Sequence, residues 1–570
     1  MSLSDGLYNF LLMLTSALKT NIDDYCDIEV TDGKYNIAMK DGTLLTLIRY
    51  DGLLSLVPYR VVNDMCDDMD DRLKQFMNKG GHKIGFVFRR DLDANSSIAR
   101  IEKSKRVTAK KLSLDVLDLI EEESQIYSKR VYDEECYVAL ITQPSVLDKV
   151  ELSTNAEHKA KIAAPRMATA QNLIAPIGVL RSRHSSFVQS FLSVINKKQY
   201  FARASQIEVD EALSIIRHQI APDYSSLLWR PVTVMSLQEK RNDMPLRWLR
   251  TNNPEDLSHI LPPELGSQIM SHSAEVQGRE SRLPSNTVVC AGRVYAYTMM
   301  NIPPTSPAYF NELFDNFHSQ ASVDANGNSR SMPYSVCFML SGDGMAQSGF
   351  KSGMVSLIAK IPPQTNENLR ISIDNLRQHK AADGCVVGIQ ISAMTWAEDN
   401  EHGRNQLFDR KNRLISAMES WGDMSLIEKA GDPIQAWLSN VLGVSKNHHG
   451  PKGAAPFSSA LKLMPFTRPA NPFPKGSLMM MSTDGKLMPI EKFSPEQTTW
   501  VTVMTGIPGS GKSVQLNNEL FESCLMAGLD RLPYICIIDV GISSRGLVEM
   551  LQQALPADKQ YLAVSRRIQN

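Results

Sequence analysis

The stretch that most limits what this chain can fold into is Gly506 to Ser513, "GIPGSGKS". It meets every fixed position of the pattern G-x-x-x-x-G-K-[ST]. Gly506, Gly509 and Gly511 permit backbone conformations closed to residues with a Cβ, so several N–H groups can turn inward around an anion. "WVTVMT" before the loop reads as a buried parallel strand. "KSVQLNNELFESCLMA" after it reads as a helix that sets Leu516, Leu520, Phe521, Cys524 and Leu525 on one face and stops at Gly528. "YICIID" then supplies a second apolar strand at the spacing of a βαβ unit. Strand, loop and helix together predict phosphates held at a helix N-terminus, whose partial positive charge favours anions.

The residue types suggest roles. Lys512 is expected to reach the β- and γ-phosphates and is the catalytic residue of the set, while the Ser513 hydroxyl is expected to ligate Mg²⁺. Gly506, Gly509, Ser510, Gly511 and Val514 complete the expected nucleotide contacts, which makes ATP and Mg²⁺ the implied cofactors. Asp539, at the end of "ICIID", has two readings: a carboxylate on the Mg²⁺ side, or a strand-tip residue that shapes the site. Val540 stands where a catalytic glutamate would follow it. This segment alone is therefore expected to bind nucleotide without hydrolysing it.

At 570 residues the chain exceeds what one hydrophobic core organises. Its 43% hydrophobic and 22% charged residues exclude a disordered or collagen-like chain. Lysine plus arginine total 61 against 62 acidic residues, so no basic channel is expected and direct binding of nucleic acid is not. Eight scattered cysteines with no C-x-x-C pair read as reduced core residues. The apolar run from Leu7 to Leu18 is too short to span a bilayer, which needs about 20 residues, and reads as a buried helix or one that docks on a membrane.

Along the chain, short apolar runs separated by "TDGK" and "KDGT" predict a β-meander over residues 27–57. A helix from about Tyr59 to Met77, a strand at "HKIGFVFRR", a long helical stretch from "SSIARIEKSKRV" onward and a strand at "CYVALITQ" complete an α+β unit over 1–150. Residues 151–225 read as a mainly helical connection. Residues 226–445 read as a second α+β unit, including strands at "TVVCAGRVYAYTMM", "YSVCFML", "MVSLIAKI" and "CVVGIQISAMTW". No sequence repeat relates the two units, and a duplication stays open. The Pro/Gly-rich stretch 446–476 reads as a linker or irregular crossing segment, and 477–570 as the incomplete beginning of a P-loop domain opened by a hairpin at Asp484-Gly485.

Three other signals have bland readings. Lys103, Lys105, Arg106, Lys110 and Lys111 read as a solvated helix face, because "EEES" follows within a few turns. His448 and His449 lack partners at ligand spacing. Met479, Met480, Met481 and Met488 read as hairpin core.

"GIPGSGKSVQLNNEL" followed by "YICIIDVGISSRGLVEML" resembles the P-loop and D-x-G-x-S turn of the VirB-type ATPases of type IV secretion and conjugation. "FPKGSLMMMSTDGKLMPIEKF" and "VYAYTMMNIPPTSPAYFNELF" are similar to other segments of that family, and the opening "MLTSALKTNIDDYCDIE" is most like its IcmB (DotO) and TraU branch. The resemblance implies a RecA-like α/β P-loop NTPase domain following two mixed α+β units. It further implies an ATPase, hexameric or a dimer-based hexamer, at the cytoplasmic face of the bacterial inner membrane, peripheral to it. Such an ATPase works with other inner-membrane and cytoplasmic ATPase components to energise assembly or substrate translocation. The family's Walker B carboxylates, sensor and arginine finger are expected beyond Asn570, which would make this chain roughly the first half of a longer protein. Two other functions stay open: a non-hydrolytic scaffold or docking protein of the secretion complex, and a DNA-translocating P-loop motor.

Overall fold

A computed structural model describes residues 22–566 apart from 93, 163–177, 223–228, 233–263, 271–285, 305–307, 320–321, 324–328, 331, 346–362, 429–431, 474 and 540–541. The expected helix at Leu7 to Leu18, the strand at "MVSLIAKI" and Val540 lie outside the described residues. Two compact units emerge. Unit 1 comprises 1–89 and 135–470, and unit 2 comprises 90–134 and 471–570.

Unit 1 is built on a twelve-stranded sheet. Its first strands are β1 (Ile28–Asp32), β2 (Asn36–Met39) and β3 (Leu44–Leu53), the meander that the Asp-Gly turns predict. Helix α1 (Tyr59–Met77) follows, with Val62, Met65, Cys66, Met69, Leu73 and Met77 buried at helical spacing. Then come β4 (His82–Asp91), the helices α2 (Asn95–Leu112) and α3 (Leu117–Ser128), and β5 (Asp133–Thr142). The long helical stretch is thus two helices, broken where Ser113 adopts the left-handed conformation at φ 60°. Helix α4 (Gly178–Ile195), strand β6 (Ala202–Gln206) and helix α5 (Val209–Ile220) close this half.

The second half runs β7 (Thr287–Cys290), β8 (Arg293–Ile302), α6 (Phe310–Ser319), β9 (Tyr334–Ser341), α7 (Pro363–Ala381), β10 (Val386–Glu398), α8 (Glu401–Glu419) and β11 (Ser425–Ile427). Strand β12 (Gly453–Pro456) pairs with β10, so part of the Pro/Gly-rich stretch belongs to this sheet, and Phe457, Leu461 and Phe466 beyond it are buried in the core of unit 1.

The sheet order is β1-β2-β3-β5-β4-β9-β10-β8-β11, with β6 on β3 and β7 on β8. Within it lies a duplication that no sequence repeat reveals. The first half reads β3-α1-β4-β5-α4-β6 with strands ordered β6-β3-β5-β4. The second reads β8-α6-β9-β10-α8-β11 with strands ordered β11-β8-β10-β9. Each is the β-α-β-β-α-β, ferredoxin-like arrangement. The halves meet strand 2 to strand 2, at β4 and β9, and each carries an extra strand, β2 or β7, paired to its first strand.

Apolar side chains point both ways from this sheet. Ile48, Phe86, Phe88, Val138, Phe338 and Ile391 meet α1, α4, α6 and α8 on one face. Leu47, Val87, Ala139, Tyr295, Tyr297 and Trp396 meet α5 and Trp437 on the other. Burial on both faces explains why these strands read as almost continuous apolar runs.

This architecture corrects the expected fold class. The sheet is antiparallel throughout, not the parallel core of a RecA-like P-loop domain. In unit 2 the predicted parallel strands do not form: neither "WVTVMT" nor "YICIID" is a strand, and Val501, Val503 and Ile538 are 81%, 80% and 90% exposed. A parallel strand is held by neighbours at its edges and helices on its faces. A β-branched apolar run records the capacity for such a strand but supplies none of the partners.

Unit 2 combines two distant pieces of chain. Helices α2 and α3 pack with the hairpin β13 (Leu478–Met481) and β14 (Leu487–Ile490), whose turn holds Gly485 at φ 87°. Ile98, Ile101, Val131, Met479 and Leu487 form one small core. Met479 is fully buried, whereas Met480 and Met481, at the turn end of the strand, are exposed. Helices α9 (Lys512–Ser523) and α10 (Arg545–Ala554) form a second core with α2 and α3 through Leu112, Ile120, Phe521 and Ala554, joined by Leu525 and Leu555 just past the helix ends.

A candidate phosphate-binding loop

Residues 506–511 wrap into the start of α9. Gly509 and Gly511 stand at φ 82° and 85°, where a Cβ is strained, and Gly511 occupies the N-cap position. At Gly506 a Cβ would lie 2.6 Å from Ser510 Oγ, so that hydroxyl would have to turn away. The Lys512 ammonium turns back to donate to the carbonyls of Gly506 at 2.7 Å and Ile507 at 2.8 Å, closing the loop into a ring. Ser510 N–H donates to Ile507 O, and Gln515 N–H to Gly511 O. Lys512 is half-buried, while Ser513 and Val514 are exposed. Glycines, lysine and serine therefore come together at one helix N-terminus. What the loop offers chemically is a lysine charge and turned backbone N–H groups within one turn of chain.

Asp539 contacts the chain that enters α10, beside the same helix. Its Oδ2 accepts from the Ser543 hydroxyl at 2.8 Å and from Ser544 N–H at 3.0 Å, at the entry to α10. Asn517, one turn beyond Ser513 on α9, donates its side-chain amide to Ser543 O at 2.9 Å. The carboxylate thus bonds the start of α10, which Asn517 ties to the helix that carries Ser513.

The far end of α9 holds groups that sequence reasoning misread. Lys105 is fully buried, not part of a solvated face: its ammonium pairs with Glu522 at 2.7 Å and Glu123 at 2.5 Å. Its neighbours keep to the surface pattern, with Arg106 pairing Glu102 and Glu121, and Lys111 pairing Asp530. The only signal for Lys105 was its place on the apolar side of α2 with Ile101, Thr108 and Ala109. A second buried charge group joins Arg90, Glu134, Lys486 and Asp484, with the Arg90 guanidinium 4.4 Å from the Tyr132 ring centre.

Elsewhere the buried polar residues are built into unit 1. His448 accepts from Gly450 N–H through Nδ1 and meets Ser392 Oγ through Nε2 at 2.9 Å; burial lowers it to about 3. His184 bridges Thr46 and Thr142 and is likewise lowered to about 3 by burial. Seven cysteines are buried as expected of core residues, but Cys536 is exposed, because its strand does not form. No helix among the described residues is long and apolar enough to cross a membrane. Compared with known proteins, the chain matches no family model and no curated protein.

Proposed function

We propose that residues 506–513 bind the phosphates of ATP with Mg²⁺, and that the chain is the assembly and nucleotide-binding part of an ATPase of type IV secretion or conjugation. The observation that carries the nucleotide reading is the ring closed by Lys512 over the Gly506 and Ile507 carbonyls at the head of α9. Two carbonyl dipoles compensate an ammonium less than a phosphate does, so a nucleotide has a net advantage there. The secretion role rests on the likeness of the loop, hairpin and D-x-G-x-S segments to that family.

Calorimetric titration with ATP and Mg²⁺ tests the first part. Lys512→Ala is expected to weaken binding by about 10- to 100-fold, as for loss of a charge-assisted hydrogen bond, with the fold intact. Equal affinity in wild type and variant overturns the reading. The assembly role predicts a defined oligomer of the purified chain by light scattering, and a monomer at all concentrations counts against it. Salt-dependent DNA binding would instead favour a DNA-translocating motor.

A further inference from the structure

Glu522 closes α9 at the opposite end from Lys512, and it is buried with one carboxyl oxygen, Oε2, that has no hydrogen-bond partner. Its other oxygen is 2.7 Å from the Lys105 ammonium, which also holds Glu123 of α3. Two carboxyls thus share one buried lysine. If both ionise, the site carries one uncompensated negative charge away from water, which is costly. If one keeps its proton, the site is neutral.

We propose that Lys105, Glu123 and Glu522 form a proton-controlled latch, which holds the α2–α3 hairpin against the phosphate-loop helix when Glu522 is protonated and loosens it when Glu522 ionises. The groups that face Glu522 from each packed element are few. Lys105 comes from α2, Glu123 and Tyr127 from α3, and Cys524 from just beyond α9. The Ser477 hydroxyl, ahead of β13, donates to the Glu522 backbone carbonyl. Lys105 and, more weakly, the Ser477 hydroxyl favour the ionised carboxylate, and Glu123 opposes it.

Burial dominates, and it raises Glu522 from 4.5 to about 7 against the pull of Lys105. A carboxyl raised in the docked state supports docking fully below its free value. That support is lost as pH climbs from about 4.5 to about 7, and above this window it is flat. Other docking contacts persist through the window: Thr108 Oγ1 donates to Met526 O, and Asp115 N–H to Ala554 O. The latch therefore loosens a packed hairpin that other contacts still hold.

Hydrogen exchange on the whole chain without nucleotide tests this, so the outcome is independent of whether the loop binds ATP. After correction for intrinsic rates, protection of the α2 and α3 amides is expected to fall at least about tenfold between pH 5 and pH 8. The β9 and β10 amides of unit 1 serve as reference. Glu522→Gln cannot ionise, and Glu123→Gln removes the opposing charge; each is expected to hold the hairpin equally well at both pH values. A wild-type hairpin with no such fall, or the same fall in both variants, overturns the latch.

Discussion

The two halves of the sheet share one topology and differ in what lies between their second and third strands. In the first half, the connection from β4 to β5 is the α2–α3 hairpin, and it belongs to unit 2 with the candidate loop. In the second half, the connection from β9 to β10 contains α7 and stays within unit 1. The charges follow this division. The first connection buries Lys105, whereas the second makes exposed pairs, Lys380 with Asp343 and Asp383 with Lys74. The lesson is that a duplicated frame keeps its strand order through core packing, while a new attachment arises by changing one loop and burying its charges.

The frame itself offers the largest effect. Phe86→Ala in β4 and Phe338→Ala in β9, both fully buried, are each expected to cost about 3–5 kcal/mol in chemical denaturation of unit 1. Unequal costs, with one near zero, would show that the halves are not equivalent in packing.

The connections should separate next. Lys105→Met leaves the buried Glu522 and the partly buried Glu123 without their cation and is expected to cost about 3–5 kcal/mol, read as protease sensitivity of unit 2 with unit 1 intact. Lys380→Ala, in the matching connection, is expected to cost under about 1 kcal/mol, because its pair is exposed to water. Similar losses in both would erase the contrast.

Acid sharpens the comparison within unit 1. His184 and His448 are held neutral by burial and lowered from 6.5 to about 3. The unfolded chain takes up their protons first, so the stability they contribute is complete above about pH 6.5 and declines as pH falls toward 3. Each adds a slope of about 1.4 kcal/mol per pH unit in that window. His184→Gln and His448→Gln should each lower the pH slope by that amount in denaturation series at pH 4 to 6. The smallest effect is expected at the loop: Gly511→Ala, at φ 85°, should cost about 1–2 kcal/mol in the local stability of α9 by hydrogen exchange.

Much of this is legible in the sequence. Asp-Gly turns marked the β1–β3 meander, and helical spacing of Val62, Met65, Cys66, Met69, Leu73 and Met77 marked α1. These are local signals, carried by neighbours in the chain. What escaped was non-local. "WVTVMT" and "YICIID" have strand-forming residues, yet pairing depends on chain that reaches their edges. Lys105 looks like Lys103 and Lys110 in sequence, and only the arrival of Glu522 from over four hundred residues away makes it a core residue.

The sequence by itself determined the candidate loop: where three glycines precede a lysine and a serine, the backbone can curl and the ammonium can fold back with little outside help. It also determined the first three strands and the helix after them in unit 1, but not the strand inside the Pro/Gly-rich stretch. The tertiary structure alone decided that the sheet is antiparallel and doubled, that one loop of one half joins the second unit, and which lysine is buried. Those outcomes depend on long-range packing, in which the partner of a residue is set by topology and not by its neighbours in the chain.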